Sequence, residues 1–334
     1  MTGNFVSKEF SIIKNKNITK KFNDLSENFL EDLEYLIKKI RILKPEMLIV
    51  LGDRYEMLLG PISCIPKNIP IIHFYGGSVT EGAIDELVRH AITKMSHYHF
   101  VALKQYKHRL IQMGEESWRI KNIGVHSLNY IKSAKILTKK NLTKNLNFDF
   151  NKPYCLLTFH PVTLELAKIN LQLKNLVNAI KNTKLNAVIT YPNADPLHEK
   201  IIQFLKNKFK NKNKYLIIKN CGQINYISIL KHSKFIIGNS SSGIVEAATL
   251  KKPSINIGTR QDGKLKPKNV INSNYSKQDI INSIKIASSS NFLKKTRYVS
   301  NPYESKISID NIVNHIVKLK INDKLLRKKF INIR

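Results

Sequence analysis

With 334 residues, 42% hydrophobic and 8% aromatic content, the chain has the make-up of a globular protein with room for about two domains. No apolar run reaches the ~18 residues of a membrane span and the opening residues lack a secretory apolar core, so no membrane partner is expected. The formal charge of +32 is dispersed through Lys38-Lys39, Lys139-Lys140, 206–214 and Lys328-Lys329 and mixed with Asn and Ile. With no basic recognition helix, zinc spacing or RNA-binding aromatic motif, it argues for an anionic small substrate and against nucleic acid. Cys64, Cys155 and Cys221 are scattered, without metal-ligand or redox pairing, and a cytoplasmic location is expected.

In chain order, helical spacing over 29–43 leads into an apolar strand over 47–51 that ends in Gly52-Asp53-Arg54. Asp53 at that place also reads as a helix N-cap. The next strand, 70–73, delivers His73 and Tyr75 to a Gly76-Gly77 turn. A loop with Glu81 follows, and a helix over 84–95 opens with Asp85, Glu86, Arg89 and His90. Asp85/Arg89 and Glu86/His90 stand at i,i+4 and so share one helix face. After a strand over 99–102, the polar stretch 139–152 reads as a linker between two α/β halves.

The second half repeats the alternation. The strand over 155–159 ends in His160-Pro161, and that over 187–191 ends in Pro192-Asn193-Ala194-Asp195. Between them 164–181 has helical spacing, and a strand over 215–218 precedes a helix over 224–231. The strand over 235–238 runs into Gly238-Asn239-Ser240-Ser241-Ser242-Gly243 and a helical segment over 244–250 that carries Glu246. The strand over 254–257 ends in Gly258-Thr259-Arg260-Gln261-Asp262-Gly263-Lys264. Near-continuous apolar strands alternating with helices predict an α/β protein with parallel sheets. Two such Rossmann-like domains would face a cleft, with ligands at the carboxyl ends of the strands.

A serine-rich loop with glycines suits a phosphate or a polar ring, Arg260 suits a phosphate clamp, and Glu246 suits ribose hydroxyls. Carboxylates for proton transfer beside basic groups for a diphosphate suggest chemistry at a sugar with a nucleotide as leaving group.

The ordered series Gly52-Asp53-Arg54-Tyr55-Glu56, Gly76-Gly77 through Lys94-Met95-Ser96, Phe159-His160-Pro161-Val162-Thr163 and Pro192-Asn193-Ala194-Asp195 resembles the UDP-N-acetylglucosamine 2-epimerase family, most closely its hydrolysing, sialic-acid-pathway branch. The series continues through Gly238 to Glu246, Ile257-Gly258-Thr259-Arg260-Gln261 and Asn301-Pro302-Tyr303, so the resemblance spans nearly the whole chain. It implies a glycosyltransferase-B arrangement with a domain over 1–145, a UDP-binding domain over 146–305 and a last helical segment, 306–334, packing back on the first domain. It also implies a homodimer, a UDP-sugar substrate, and no metal or other cofactor. The implied reaction removes the C2 proton and UDP to give a 2-acetamidoglucal, then adds water with inversion at C2. The products are UDP and N-acetylmannosamine or a diacetamido analogue.

By resemblance Asp53, Glu81, Glu86 and His160 are the catalytic candidates. Arg54, His73, Arg89, His90, Asn193, Asp195, Ser240, Ser241, Glu246 and Arg260 are the substrate-binding candidates. Two departures stand out. Relatives commonly carry Glu next to the Gly-Gly pair, where this chain has Tyr75 and Ser78. The opening Met1-Thr2-Gly3-Asn4-Phe5-Val6-Ser7 looks like the end of the family's second strand, so the first strand–loop–helix unit, with its nucleotide-binding Arg, is expected to be absent. A glycosyltransferase of the same architecture, a non-hydrolysing epimerase and a truncated non-catalytic nucleotide-sugar binder stand as alternatives.

Overall fold

The structure, a computed structural model, describes residues 25–81, 83–193 and 196–332. The expected absence of the first strand–loop–helix unit, read from residues 1–7, lies outside the described residues, as does Asp195. The chain divides into two compact units. Among the described residues the first takes 25–78, 84–123 and 307–332, and the second takes 79–83 and 124–306.

In the first unit, β1 (Leu48–Leu51), β2 (Ile71–Phe74), β3 (Tyr98–Val101) and β4 (Ile120–Asn122) form a parallel sheet in the order β1-β2-β3-β4. Successive side chains of a strand point to opposite faces. Ile71 packs with Ile40, Val50, Cys64 and Ile92, whereas Ile72 packs with Tyr98, Phe100, Ile312 and Leu325. Both faces are therefore covered, which is why Ile71 and Ile72 stand side by side as apolar residues in β2. Ile312 comes from the Ile309–Val317 helix, N-capped by Ser308, whose side chain accepts from Asn311 N. Buried Arg119 donates to the carbonyls of Lys324, Leu325 and Arg327, groups that the short Asp323–Leu326 helix leaves unpaired at its end.

The second unit holds a six-stranded parallel sheet in the order β10-β9-β8-β5-β6-β7. Its strands are β5 (Tyr154–Thr158), β6 (Asn186–Thr190), β7 (Tyr215–Ile218), β8 (Ile236–Gly238), β9 (Ser254–Ile257) and β10 (Val270–Ser273). Cys155, Leu157, Ala187, Ile189, Ile237 and Ile255 meet Leu173, Leu176 and Ile180 of the Ile169–Lys181 helix and Ile280 and Ile284 of the Lys277–Ser288 helix in one core.

The stretch read as a linker is instead a helix at its start, Lys139–Leu146. The Thr138 hydroxyl caps it, Leu142 is fully buried, and Asn147 ends it in the left-handed region at φ 48°. With only Leu142 and Leu146 among polar residues, its apolar stripe is too short to be seen as amphipathic.

Candidate functional site

In the first unit the site begins where β1 stops. Gly52, at φ +85°, turns the chain, and His73 of the adjacent strand donates from Nε2 to the Gly52 carbonyl at 2.9 Å. The Thr93 hydroxyl donates to His73 Nδ1 at 3.2 Å. Burial, more than any other influence, pushes His73 down to about 4. It is therefore a neutral, fully enclosed ring that holds the Gly52–Asp53 turn, not a group that reaches a substrate.

Arg89 is the centre of the cluster. Its Nε and Nη2 donate to Asp53 Oδ2 at 2.8 and 2.5 Å, and its Nη1 donates to Glu86 Oε2 at 2.5 Å and to the Ser78 carbonyl at 2.9 Å. Glu86 Oε1 lies 2.9 Å from His90 Nε2. The Arg89 side chain is 1% exposed, against 32% for Asp53 and 23% for Glu86. The cation is thus committed to two carboxylates that each keep an open side. Arg89 thus forms ion pairs with Glu86 at i,i+3 on its own helix and with Asp53 across the sheet edge, while Glu86 and His90 meet at the i,i+4 spacing read from the sequence.

Arg54 forms a two-pronged pair with Glu56, at 3.1 and 2.9 Å. Tyr75 sits at φ +69° with its N–H on the Phe100 carbonyl and its ring beside Phe74. Asp53 does not cap the turn at Tyr55–Leu58; Arg54 holds that position, without a side-chain cap. Glu81 lies with 79–83 in the second unit, exposed, beside Gly263.

In the second unit, strand ends surround a cavity of about 390 Å³. It brings together His160, Asn193, Ser240, Ser241, Arg260 and the segment 218–223. His160 follows β5, and its Nδ1 accepts the Asn193 main-chain N–H at 3.0 Å, which leaves the ring proton on Nε2. Burial first, and then the charge of Arg260, push His160 down to about 3. His160 is therefore a neutral hydrogen-bond donor, and an acid role for it would require an imidazolium that this environment opposes. Ser240 caps the turn Ser241–Gly243 by accepting from Ser242 N, and Tyr226 donates to Ser242 Oγ at 2.7 Å. The helical segment expected over 244–250 shortens to Glu246–Thr249. Glu246 Oε2 is buried without a hydrogen-bond partner, and burial raises its carboxyl above the usual range.

Some cavity residues carried no individual signal in sequence. Thr158 and Thr190 pair across β5 and β6 at 2.5 Å, and Asn239, fully buried, lies behind the lining residue Ser240. Gly222, at φ +76°, precedes the Gln223–His232 helix and brings that helix start to the cavity. The rule that polar residues gather at carboxyl ends of parallel strands applies equally to β7 and would have found Gly222. Among the described residues no group of three or more His, Cys, Asp or Glu could hold a metal ion.

Comparison with known proteins agrees with this architecture. A family model described as UDP-N-acetylglucosamine 2-epimerase matches residues 2–317. The chain is 40% identical over 298 residues to a protein of Campylobacter jejuni named GDP/UDP-N,N'-diacetylbacillosamine 2-epimerase (hydrolyzing), covering 83% of this chain and 77% of that one. It is 38% identical over 227 residues to a Legionella pneumophila protein named UDP-N,N'-diacetylbacillosamine 2-epimerase (hydrolyzing), covering 68% of this chain and 60% of that one. In fold it is similar to a crystal structure of UDP-GlcNAc 2-epimerase from Neisseria meningitidis bound to UDP-GlcNAc, with a TM-score of 0.78 at 20% identity over 92% of this chain and 86% of that one. On a match that runs through both units and on relatives above a third identical, the chain belongs to the UDP-N-acetylglucosamine 2-epimerase family.

Proposed function

We propose that this chain is a hydrolysing UDP-sugar 2-epimerase acting on a diacetamido sugar nucleotide. The observation that carries the reading is the 40% and 38% identity to two relatives named as hydrolysing diacetylbacillosamine 2-epimerases. In the reaction a base takes the C2 proton while the C1–O bond breaks, and UDP leaves with that electron pair. Water then adds across the C1–C2 double bond, hydroxyl to C1 and proton to the opposite face of C2.

The second unit supplies what the leaving group needs. His160 Nε2–H, Ser241 and Arg260 offer donors to a diphosphate, and donors placed where charge develops favour departure. The unpartnered Glu246 Oε2 suits ribose hydroxyls, whose donors would satisfy it. In the first unit Asp53 and Glu86, both partly exposed and both oriented by Arg89, suit the proton transfers. Glu81 is a further acid/base candidate on its exposed loop. Cys64, Cys155 and Cys221 are free thiols, which supports a cytoplasmic location.

The test is to incubate the chain with the UDP-linked diacetamido sugar and analyse the nucleotide. Free UDP with a free 2-epimeric sugar supports the reading. A product that keeps UDP marks a non-hydrolysing epimerase, and binding without turnover marks a non-catalytic nucleotide-sugar binder.

A further inference from the structure

Asn239 lies at the end of β8, fully buried, and its side chain spans the backbone of one residue on the neighbouring strand end. Its Oδ1 accepts the His160 N–H at 2.6 Å, and its Nδ2 donates to the His160 carbonyl at 2.8 Å. The amide orientation is unambiguous, because the flipped form would set donor against donor and acceptor against acceptor. The main chain of Asn239 is equally committed. Its N–H donates to the Thr158 carbonyl at 3.2 Å, and its own carbonyl receives Arg260 Nη1 at 3.3 Å and Gln261 Nε2 at 2.8 Å. Gly238 permits the approach, since at φ +135° a Cβ would collide with the Thr158 carbonyl. Loops from β5, β8 and β9 are therefore bolted together at one residue.

The consequence reaches the cavity. Two hydrogen bonds fix the His160 peptide, and the fixed backbone aims the ring so that Nδ1 meets the Asn193 N–H at 3.0 Å. The same residue anchors the Arg260 side chain. We propose that Asn239 is a positioning residue that sets the His160 ring and the Arg260 guanidinium in register, so that both face one diphosphate. The diphosphate rests on the function proposed above; the registration of His160 does not.

The experiment pairs side-chain nitrogen NMR of His160 in the unliganded protein with calorimetric titration of UDP, for the wild type, Asn239→Ala and Gln261→Leu. The wild type shows a single neutral Nε2–H tautomer at pH 7. In Asn239→Ala that signature gives way to averaged tautomers and UDP binds about tenfold more weakly, the scale of lost buried hydrogen bonds. Gln261→Leu keeps the tautomer and weakens UDP by about threefold, because it loosens only the Arg260 loop. An Asn239→Ala protein that melts earlier yet keeps the tautomer overturns the proposal, since that is what a purely structural amide would do. If Asn239→Ala does not fold, unchanged UDP affinity in Gln261→Leu overturns it. A wild type that ignores UDP removes the proposed function while the tautomer comparison still decides the positioning.

Discussion

Arg89 gives two nitrogens to a single oxygen of Asp53, at 2.8 and 2.5 Å, across 36 residues of sequence. With a third nitrogen on Glu86 and a 1% exposed side chain, it is a buried cation whose partners are both catalytic candidates. Removing it strands two carboxylates that keep some access to water. Arg89→Leu is expected to cost about 2–3 kcal/mol, below the usual penalty for breaking a fully buried pair. Urea denaturation measures this, and an unchanged midpoint would mean that Arg89 does not hold the cluster.

Asp53 keeps 32% of its side chain open beside that cation. Asp53→Asn preserves shape and removes the proton acceptor. Turnover is expected to fall by on the order of a hundredfold, the scale of a lost acid/base group. UDP affinity stays, since the nucleotide contacts proposed here come from the second unit. Unchanged turnover takes Asp53 out of the mechanism.

Ser241 and Arg260 line the same cavity. Ser241→Ala combined with Arg260→Ala is expected to weaken UDP binding by about 2–4 kcal/mol, as for lost charge-assisted hydrogen bonds. Titration calorimetry reads this, and full affinity in the double variant would place the nucleotide elsewhere.

Burial holds His73 at about 4 and His160 at about 3, both below the free value of 6.5. Below pH 6.5 the unfolded chain takes up these protons while the folded one does not. Their contribution is complete above pH 6.5 and is lost as the pH falls toward 4 and then 3. Each adds a slope of about 1.4 kcal/mol per pH unit within that window. Urea midpoints at pH 7.5, 6 and 5 are expected to fall, and His160→Gln to flatten the slope by about one proton. A flat profile would mean that these rings are not buried neutral.

Much of this architecture was readable because β2, β5, β6, β8 and β9 are almost wholly buried and rich in β-branched and other apolar residues, interrupted only by single polar positions such as His73 and Asn256. β4, Ile-Lys-Asn, and β10, Val-Ile-Asn-Ser, were not read, because both are short edge strands with polar residues. At the candidate site, strand-end residues such as His160, Asn193 and Arg260 were legible, because parallel sheets place ligands there. The burial of His73 and Arg89 was not, since a titratable residue in sequence says nothing of how completely its neighbours enclose it. The bolt made by Asn239 joins residues 79 positions apart, a relation that no local spacing encodes.

The most direct test of the central claim is proton NMR of the chain with the UDP-linked diacetamido sugar in D2O, and in parallel with UDP-N-acetylglucosamine. Free UDP and a free 2-epimeric sugar carrying deuterium at C2 are expected, formed faster from the diacetamido substrate. A product that retains its C2 proton, or no turnover of either substrate, would contradict that claim.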